Sequence, residues 1–228
     1  MFSIKSPTTY NEMLGKLGPI TFFTTLFFCV GLRATGLIPL VEVDESLIPP
    51  IKQHKEIIEW GLSFGIVPFA LACVAWFLSS GFEIHNILAK VTKLRYFWDK
   101  YYIVKVMLER SISDKNINDV SVRDTMNELY YPEVKNIDQH YVHTFWRYAL
   151  IFWSLFEHLF FATILTLIFL VAYPEKDISS LWYYLLAVSI LTSAQFLGVT
   201  VQKSKDQANQ IEIGKINNYF KPKTNILT

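Results

Sequence analysis

Four stretches of mostly apolar residues, separated by polar segments, divide this chain. They cover approximately residues 18–40, 57–81, 145–173 and 181–201. A helix of about 20 apolar residues is long enough to cross the roughly 30 Å hydrocarbon core of a bilayer. The pattern therefore predicts an all-α, polytopic membrane protein with four transmembrane helices.

The polar segment between the second and third spans keeps a helical pattern. From Glu83 to about Arg110, apolar residues recur every three or four positions among lysines and arginines, which is typical of an amphipathic helix. We expect one helix to leave the membrane as an extension of span two and to form a cytoplasmic arm. A second, short helix near residues 120–130 should begin at Asp119 or Ser121 and stop at Pro132.

Five regions follow from this pattern. They are an N-terminal segment (1–17), spans one and two with an outer loop broken by Pro49-Pro50 (18–81), the arm and linker (82–144), spans three and four (145–201), and a tail that begins as a helix (202–228).

Basic residues predict the orientation of these regions. Most lysines and arginines lie in the arm and the tail, whereas the two short outer loops contain only Lys52, Lys55 and Lys176. By the positive-inside rule, both termini and the arm are cytoplasmic.

The second span predicts helix packing. Gly61 and Gly65 form a GxxxG pair among other small residues, a surface that lets another helix approach closely. Pro68 falls in the middle of the span and should kink it. We expect a homo-oligomer in the lipid bilayer, with a tetramer favoured.

Composition narrows the possible functions. The chain is 52% hydrophobic and 18% charged, and its net charge of +1 argues against direct nucleic-acid binding. Cys29 and Cys73 lie in apolar segments without a CxxC motif, which argues against thiol–disulfide chemistry.

The spacing of His140 and His143 beside Asp138 suits a metal, but without a fourth ligand no metal is predicted. No P-loop, GxSxG, HExxH or paired-carboxylate motif is present, so we predict no enzyme activity and no cofactor.

Polar residues inside the spans are the strongest candidates for function. Ionisable groups at that depth are costly unless they face protein or water. Arg33 should either reach the headgroups or pair with an acid. Glu157 and His158 lie near the middle of span three and point about 100° apart, so they should not share one narrow seam. Glu157 should bond Arg33, a polar side chain such as Gln195 or Thr192, or its own copy in an oligomer. It would then form a proton-sensitive or ion-lining site, or a hydrogen bond that fixes helix register.

Other polar residues lie outside the spans. Glu83 and His85, at the exit of span two, are interpreted as interfacial residues at an inner mouth. On the arm, basic and aromatic residues alternate, a pattern that suits a docking face for a partner, a nucleotide or phospholipid headgroups. The residues predicted to dock a partner are Lys93, Arg95, Trp98, Lys100 and Tyr101.

Three hypotheses about function remain open. The first is a membrane sensor or scaffold whose arm and tail dock a soluble cytoplasmic effector. The second is an ion channel or pore with Glu157 in the bundle. The third is an intramembrane enzyme acting on lipid or quinone, with Glu157 and His158 as acid and base.

The layout resembles a known family, the small four-span membrane component of the bacterial Kiwa anti-phage defence system (KwaA). The similarity covers the whole chain in length, span number, termini and cytoplasmic middle segment. It implies a homo-oligomer of the inner membrane that detects infection. It also implies a cytoplasmic DNA-binding partner, KwaB, that restrains phage DNA replication or late transcription.

Overall fold

The computed structural model describes residues 7–44 and 54–221, which form helices and turns without a β-strand. The helices are α1 (Tyr10–Ala34), α2 (Lys55–Phe82), α3 (Ile84–Val91), α4 (residues 94–110), α5 (residues 122–134), α6 (Gln139–Ala172), α7 (Ser179–Asn209) and α8 (Ile213–Phe220). The all-α prediction is confirmed for this part of the chain. The expectations about Pro49-Pro50 and about the end of the tail concern residues outside it.

Helices α1, α2, α6 and α7 correspond to the four predicted spans, and each is long and apolar enough to cross a membrane. Two of these helices extend beyond their apolar spans: α6 begins at Gln139, and α7 continues to Asn209, in agreement with the prediction that the tail begins as a helix. Helix α1 begins earlier than the predicted span, at Tyr10, and ends earlier, at Ala34, because Gly36 adopts a left-handed conformation, with φ 71°. The Gly36 amide bonds the Arg33 carbonyl at 3.0 Å and the Ile38 amide bonds the Leu32 carbonyl at 3.3 Å, and these bonds close the helix end.

Helix starts follow ordinary capping chemistry. The Thr9 hydroxyl accepts the Glu12 amide at the start of α1, and the Asp138 carboxylate accepts the His140 amide at the start of α6. Of the two caps predicted for α5, Ser121 is the one used, since its hydroxyl accepts the Asp124 amide.

The prediction of one continuous helix from Glu83 to Arg110 is wrong. Glu83 and Lys93 adopt left-handed conformations, with φ 47° and 56°, and these conformations separate α2, α3 and α4. An α-helical hydrogen-bond pattern cannot continue through such a residue.

Pro132 does not stop α5, which continues to Val134. A wide π turn at Met126–Tyr130 precedes the proline and displaces the carbonyl that its ring would otherwise meet. A π turn at Leu62–Ile66 likewise precedes Pro68, which is buried within a helix that continues on both sides.

The chain forms two compact units. The described part of the first, the bundle unit, comprises residues 14–44, 54–85 and Trp153–Thr192. Its apolar core draws on α1, α6, α7 and the turns beside them, with Phe28, Leu32, Ala162, Leu165 and Leu185 among its members.

The chain after α1 also packs on α2 within this unit. The Val41 amide donates to the Ser63 hydroxyl at 2.7 Å, and the Val43 amide donates to the Glu59 carboxylate at 2.9 Å. These bonds satisfy backbone donors in a segment that has no regular structure of its own.

No other helix of the described chain packs closely on the GxxxG pair, so packing of a helix there stays a prediction for a second copy. A side-chain carbon added at Gly61 or Gly65 would meet no atom within 4 Å. The close approach occurs instead at Gly18 of α1, where such a carbon would collide with Ser80 and contact Trp76 of α2. Helix α2 turns a different small-residue face inward, formed by Ala72, Ala75 and Ser79 among others.

The described part of the second unit, the arm unit, comprises residues 7–13, Asn86–Phe152 and 193–221. Trp98 lies at the centre of an aromatic cluster, with its ring 5.2 Å from that of Phe196 and 5.7 Å from that of Phe152. Its indole donates to the Ser204 hydroxyl at 2.7 Å.

Side chains of α4 and α5 tie the end of the chain into this unit. The Arg110 guanidinium donates to the carbonyls of Ala208 and Ile211, both at 3.1 Å, which satisfies acceptors at the end of α7. The Tyr130 hydroxyl donates to the Gln207 side-chain carbonyl at 2.5 Å.

Candidate functional site

The bundle unit contains one fully buried carboxylate, that of Glu157 on α6, with an exposed fraction of 0%. Its Oε2 accepts hydrogen bonds from the hydroxyls of Thr21 on α1, at 2.5 Å, and Ser79 on α2, at 2.7 Å. Its Oε1 lies 3.1 Å from Nδ1 of His85 on α3, and one proton between these two atoms makes that contact a hydrogen bond. All three partners are buried.

Local structure explains how four helices reach one carboxylate. Glu83 ends α2 in a left-handed conformation, so α3 starts in a new direction and His85 turns inward. Trp153, one turn before Glu157 on α6, lies against the imidazole with a centroid distance of 5.4 Å.

These hydrogen bonds stabilise the buried Glu157 carboxylate, which would be very unfavourable without them. A buried carboxylate is tolerated when charge-assisted hydrogen bonds occupy its oxygens, and here three donors do so. The site therefore holds a carboxylate and an imidazole inside the bundle unit, with donors from three other helices on the carboxylate oxygens.

Among the described residues, Glu157 does bond polar side chains, but these are not Arg33, Thr192 or Gln195. A bond to its own copy stays a prediction. Arg33 donates instead to the carbonyl of Pro39, so it neither pairs with an acid nor projects freely to solvent. The Thr192 hydroxyl donates to the Val188 carbonyl of its own helix. Gln195 begins a π turn in α7, and its buried amide nitrogen has no hydrogen-bond partner among the described residues.

Sequence reasoning missed Thr21 and Ser79 and misplaced His85. Ser79 continues the spacing of Ala72 and Ala75, which marks the inward face of α2, and this signal was available in the sequence. Thr21 was available as a polar residue in an apolar span. The burial of His85 depends on the left-handed Glu83, which no sequence pattern indicated.

His158 belongs to a different cluster, as predicted from its angle to Glu157. Its Nε2 lies 2.5 Å from the Tyr184 hydroxyl of α7, and its ring meets Phe28 edge to face. This cluster borders an apolar groove of about 490 Å³ lined by α1 and α7. Because the two residues have separate partners, Glu157 and His158 do not form one acid–base pair.

The predicted docking residues of the arm have different environments. Trp98 is only 5% exposed and belongs to the core, so its assignment to a docking face is wrong. Lys93 and Tyr101 are exposed, and Lys100 donates to Asn118. Arg95 donates to the Tyr131 hydroxyl at 3.2 Å.

Metal ligands are not grouped in the described residues, where no three His, Cys, Asp or Glu side chains come together. Within that part of the chain, His140 is exposed and Asp138 caps α6.

The fold and this site define an all-helical protein with four helices long enough to span a membrane and a buried carboxylate–histidine pair between helices. Residues 9–222 match the YmfE protein family. The chain is also 36% identical over 222 residues to the uncharacterized protein YmfE of Escherichia coli (strain K12), covering 94% of each chain. It therefore belongs to the YmfE protein family.

No solved structure matches the chain. The resemblance to the Kiwa membrane component stays a prediction, because neither comparison bears on it.

Proposed function

We propose that this protein spans the inner membrane four times, with both termini cytoplasmic, and acts as a sensor or scaffold for a soluble cytoplasmic effector. Large apolar side chains on the outer surface of the bundle unit support insertion. Phe27, Val171 and Tyr183 are 68%, 82% and 74% exposed. Many exposed apolar side chains of this kind suit contact with lipid and are costly in water.

The observation that carries the docking proposal is an exposed aromatic and basic patch on the arm unit. Phe97 and Tyr101 stack with a centroid distance of 5.6 Å and are 51% and 39% exposed. The Lys100 ammonium lies 5.8 Å from the ring centroid of Tyr96 and 5.5 Å from that of Tyr101. Aromatic residues beside a cation are enriched where proteins bind other proteins.

Reversal of charge on this patch tests the proposal. We expect Lys93→Glu combined with Lys100→Glu to abolish co-purification of the effector in mild detergent, because like charges would then repel a partner that fits the basic face. Lys176→Glu, an exposed change in the loop between α6 and α7, is the matched control and should leave co-purification intact. A soluble partner retained in full by the double variant would contradict docking on this face.

The native mass of the same preparation measures how many copies of the chain are present in the complex. We expect a homo-oligomer, with four copies favoured, and the uncovered GxxxG face of α2 is available for a second copy. If the resemblance to Kiwa holds, the captured effector binds DNA.

The alternative function is an ion channel or pore, and the buried site is what favours it. A carboxylate held by hydroxyls and an imidazole can take part in ion or proton passage once water reaches it. For this alternative we expect Glu157→Gln to change ion flux in proteoliposomes, because it removes the charge and keeps the shape. Glu175→Gln, an exposed change, is the control, and flux that is absent or identical in both proteins counts against a pore.

A further inference from the structure

The arm unit contains a cleft that gathers four cationic side chains. It has a volume of about 430 Å³ and lies between α3, α4 and α5. Lys90 comes from the last turn of α3, Lys93 from the turn that follows, Arg95 from the start of α4 and Arg123 from the start of α5. Three of these residues are close in sequence, and the fold adds Arg123 to the same concave surface.

The positive charge of this cleft is not neutralised by the protein. In the described residues, Lys90, Lys93 and Arg123 have no ion pair and no side-chain hydrogen bond. Arg95 bonds the neutral hydroxyl of Tyr131. Like charges on one concave surface repel each other, and an anion bound there would offset that repulsion.

One acidic side chain, Asp99, also lines the cleft. Burial raises the pKa of its carboxyl to about 6, against the opposing attraction of Arg95. At neutral pH this carboxyl is still mostly ionised, so it offsets about one of the four positive charges and leaves the cleft with a net positive charge.

The backbone of the turn is held in place. Lys93 is exposed and left-handed, and its amide donates to the Lys90 carbonyl at 3.2 Å. The Thr92 hydroxyl donates to the Leu88 carbonyl at 2.8 Å. Left-handed conformations of residues other than glycine are strained and concentrate at functional sites. Lys93 has such a conformation in the turn between α3 and α4, and both Lys93 and Lys90 line the cleft.

We propose that this cleft binds a phosphate-bearing anion. Phosphate oxygens accept hydrogen bonds from several Lys and Arg donors at once, and clusters of these residues beside a membrane are typical of headgroup sites. The buried Val122 and Met126 provide an apolar wall, and the Tyr131 hydroxyl a neutral polar group, for the remainder of such a ligand. Its volume lies within the usual range for small-molecule sites.

Two sources can supply this chemistry, and the experiment separates them. The full-length protein is placed in phosphatidylcholine nanodiscs, whose headgroup carries no net charge, and lysine acetylation is measured by mass spectrometry. In one arm phosphatidylglycerol replaces part of the lipid, and in the other inorganic pyrophosphate is added to the solution. Lys115, an exposed lysine of the same unit without a side-chain partner among the described residues, is the internal control.

We expect slower acetylation of Lys90 and Lys93 in at least one arm, with Lys115 unaffected. Protection by phosphatidylglycerol alone assigns the site to a lipid headgroup, and protection by pyrophosphate alone assigns it to a soluble phosphate compound. Protection in both arms assigns it to phosphate from either source. Arg123→Gln should weaken the protecting ligand about fivefold, since one basic contact is lost, and Lys115→Gln should not.

Unchanged acetylation of Lys90 and Lys93 in both arms would overturn the proposal. So would equal protection of Lys115, or protection that is as strong in Arg123→Gln as in the parent protein. No effector is present in this assay, so its result is independent of effector docking.

Discussion

At the scale of residues, the buried Glu157 carboxylate should contribute strongly to stability, because it is the acceptor for three buried donors. Its three donors come from three other helices, so loss of the carboxylate leaves Thr21, Ser79 and His85 buried without their acceptor. Removing one member of a buried charged pair typically costs about 3–5 kcal/mol, whereas a shape-preserving change costs less.

We therefore expect Glu157→Leu to lower the melting temperature in detergent by about 5 °C or more, at roughly 2–4 °C for each kcal/mol. Glu157→Gln should lower it less, because the amide oxygen still accepts from Thr21 and Ser79. The exposed Glu175→Gln, followed by the same thermal-shift measurement, should change nothing. Equal melting temperatures for the leucine variant and the parent protein would mean that the three bonds contribute no net stability.

Sequence reasoning at this scale identified Glu157 but not what surrounds it. A carboxylate is unusual in an apolar span, so Glu157 can be recognised from the sequence. Its separation from His158 follows from the angle of about 100° between consecutive residues of a helix. The identity of its partners depends on which faces of α1 and α2 meet, which no local pattern records. The burial of Trp98 was missed for the same reason. The local sequence of an aromatic residue among lysines does not show whether its side chain is buried in a core or exposed on a surface.

At the scale of elements, two left-handed residues decide where helices end. Glu83 and Lys93 are charged residues in segments with continuous helical periodicity, so the sequence predicted one helix where the structure has three. Neither position carries glycine, the residue that normally marks such a conformation.

Lys93→Gly should accordingly stabilise the protein by about 0.5–1 kcal/mol. Glycine removes the steric cost of the left-handed conformation, which exceeds the entropy that glycine loses on folding. Lys90→Gly removes the same charge from inside α3 and should destabilise by about 1 kcal/mol instead. Thermal shift of the two variants, compared side by side, checks the signs, and a loss of stability in both would show that the turn at Lys93 is not strained.

At the scale of the whole molecule, length and hydropathy sufficed to locate the four long helices, because each contains a continuous apolar stretch long enough to cross a membrane. The division into two units was not predictable in the same way. Each unit is assembled from separated stretches of the chain, whereas sequence reasoning divides a chain into consecutive regions.

The proposed orientation can be measured with single cysteines. In a Cys29→Ser, Cys73→Ser background, a cysteine at position 176 should react with a membrane-impermeant maleimide in intact cells. A cysteine at position 115 should react only after the membrane is broken, because the arm unit is cytoplasmic by the positive-inside rule. Lys176 and Lys115 are both exposed, so reagent access within the protein is not limiting. The reverse labelling pattern would invert the topology.

The bonds from Arg110 to the end of α7 have a consequence for biosynthesis. They join groups 98 and 101 positions apart in the chain. During translation, the segment that contains α4 emerges well before its partners exist, and its aromatic core stays open until the final helices leave the ribosome. A nascent chain in that state exposes apolar surface that chaperones recognise. The last few dozen residues thus complete the fold of a segment made much earlier.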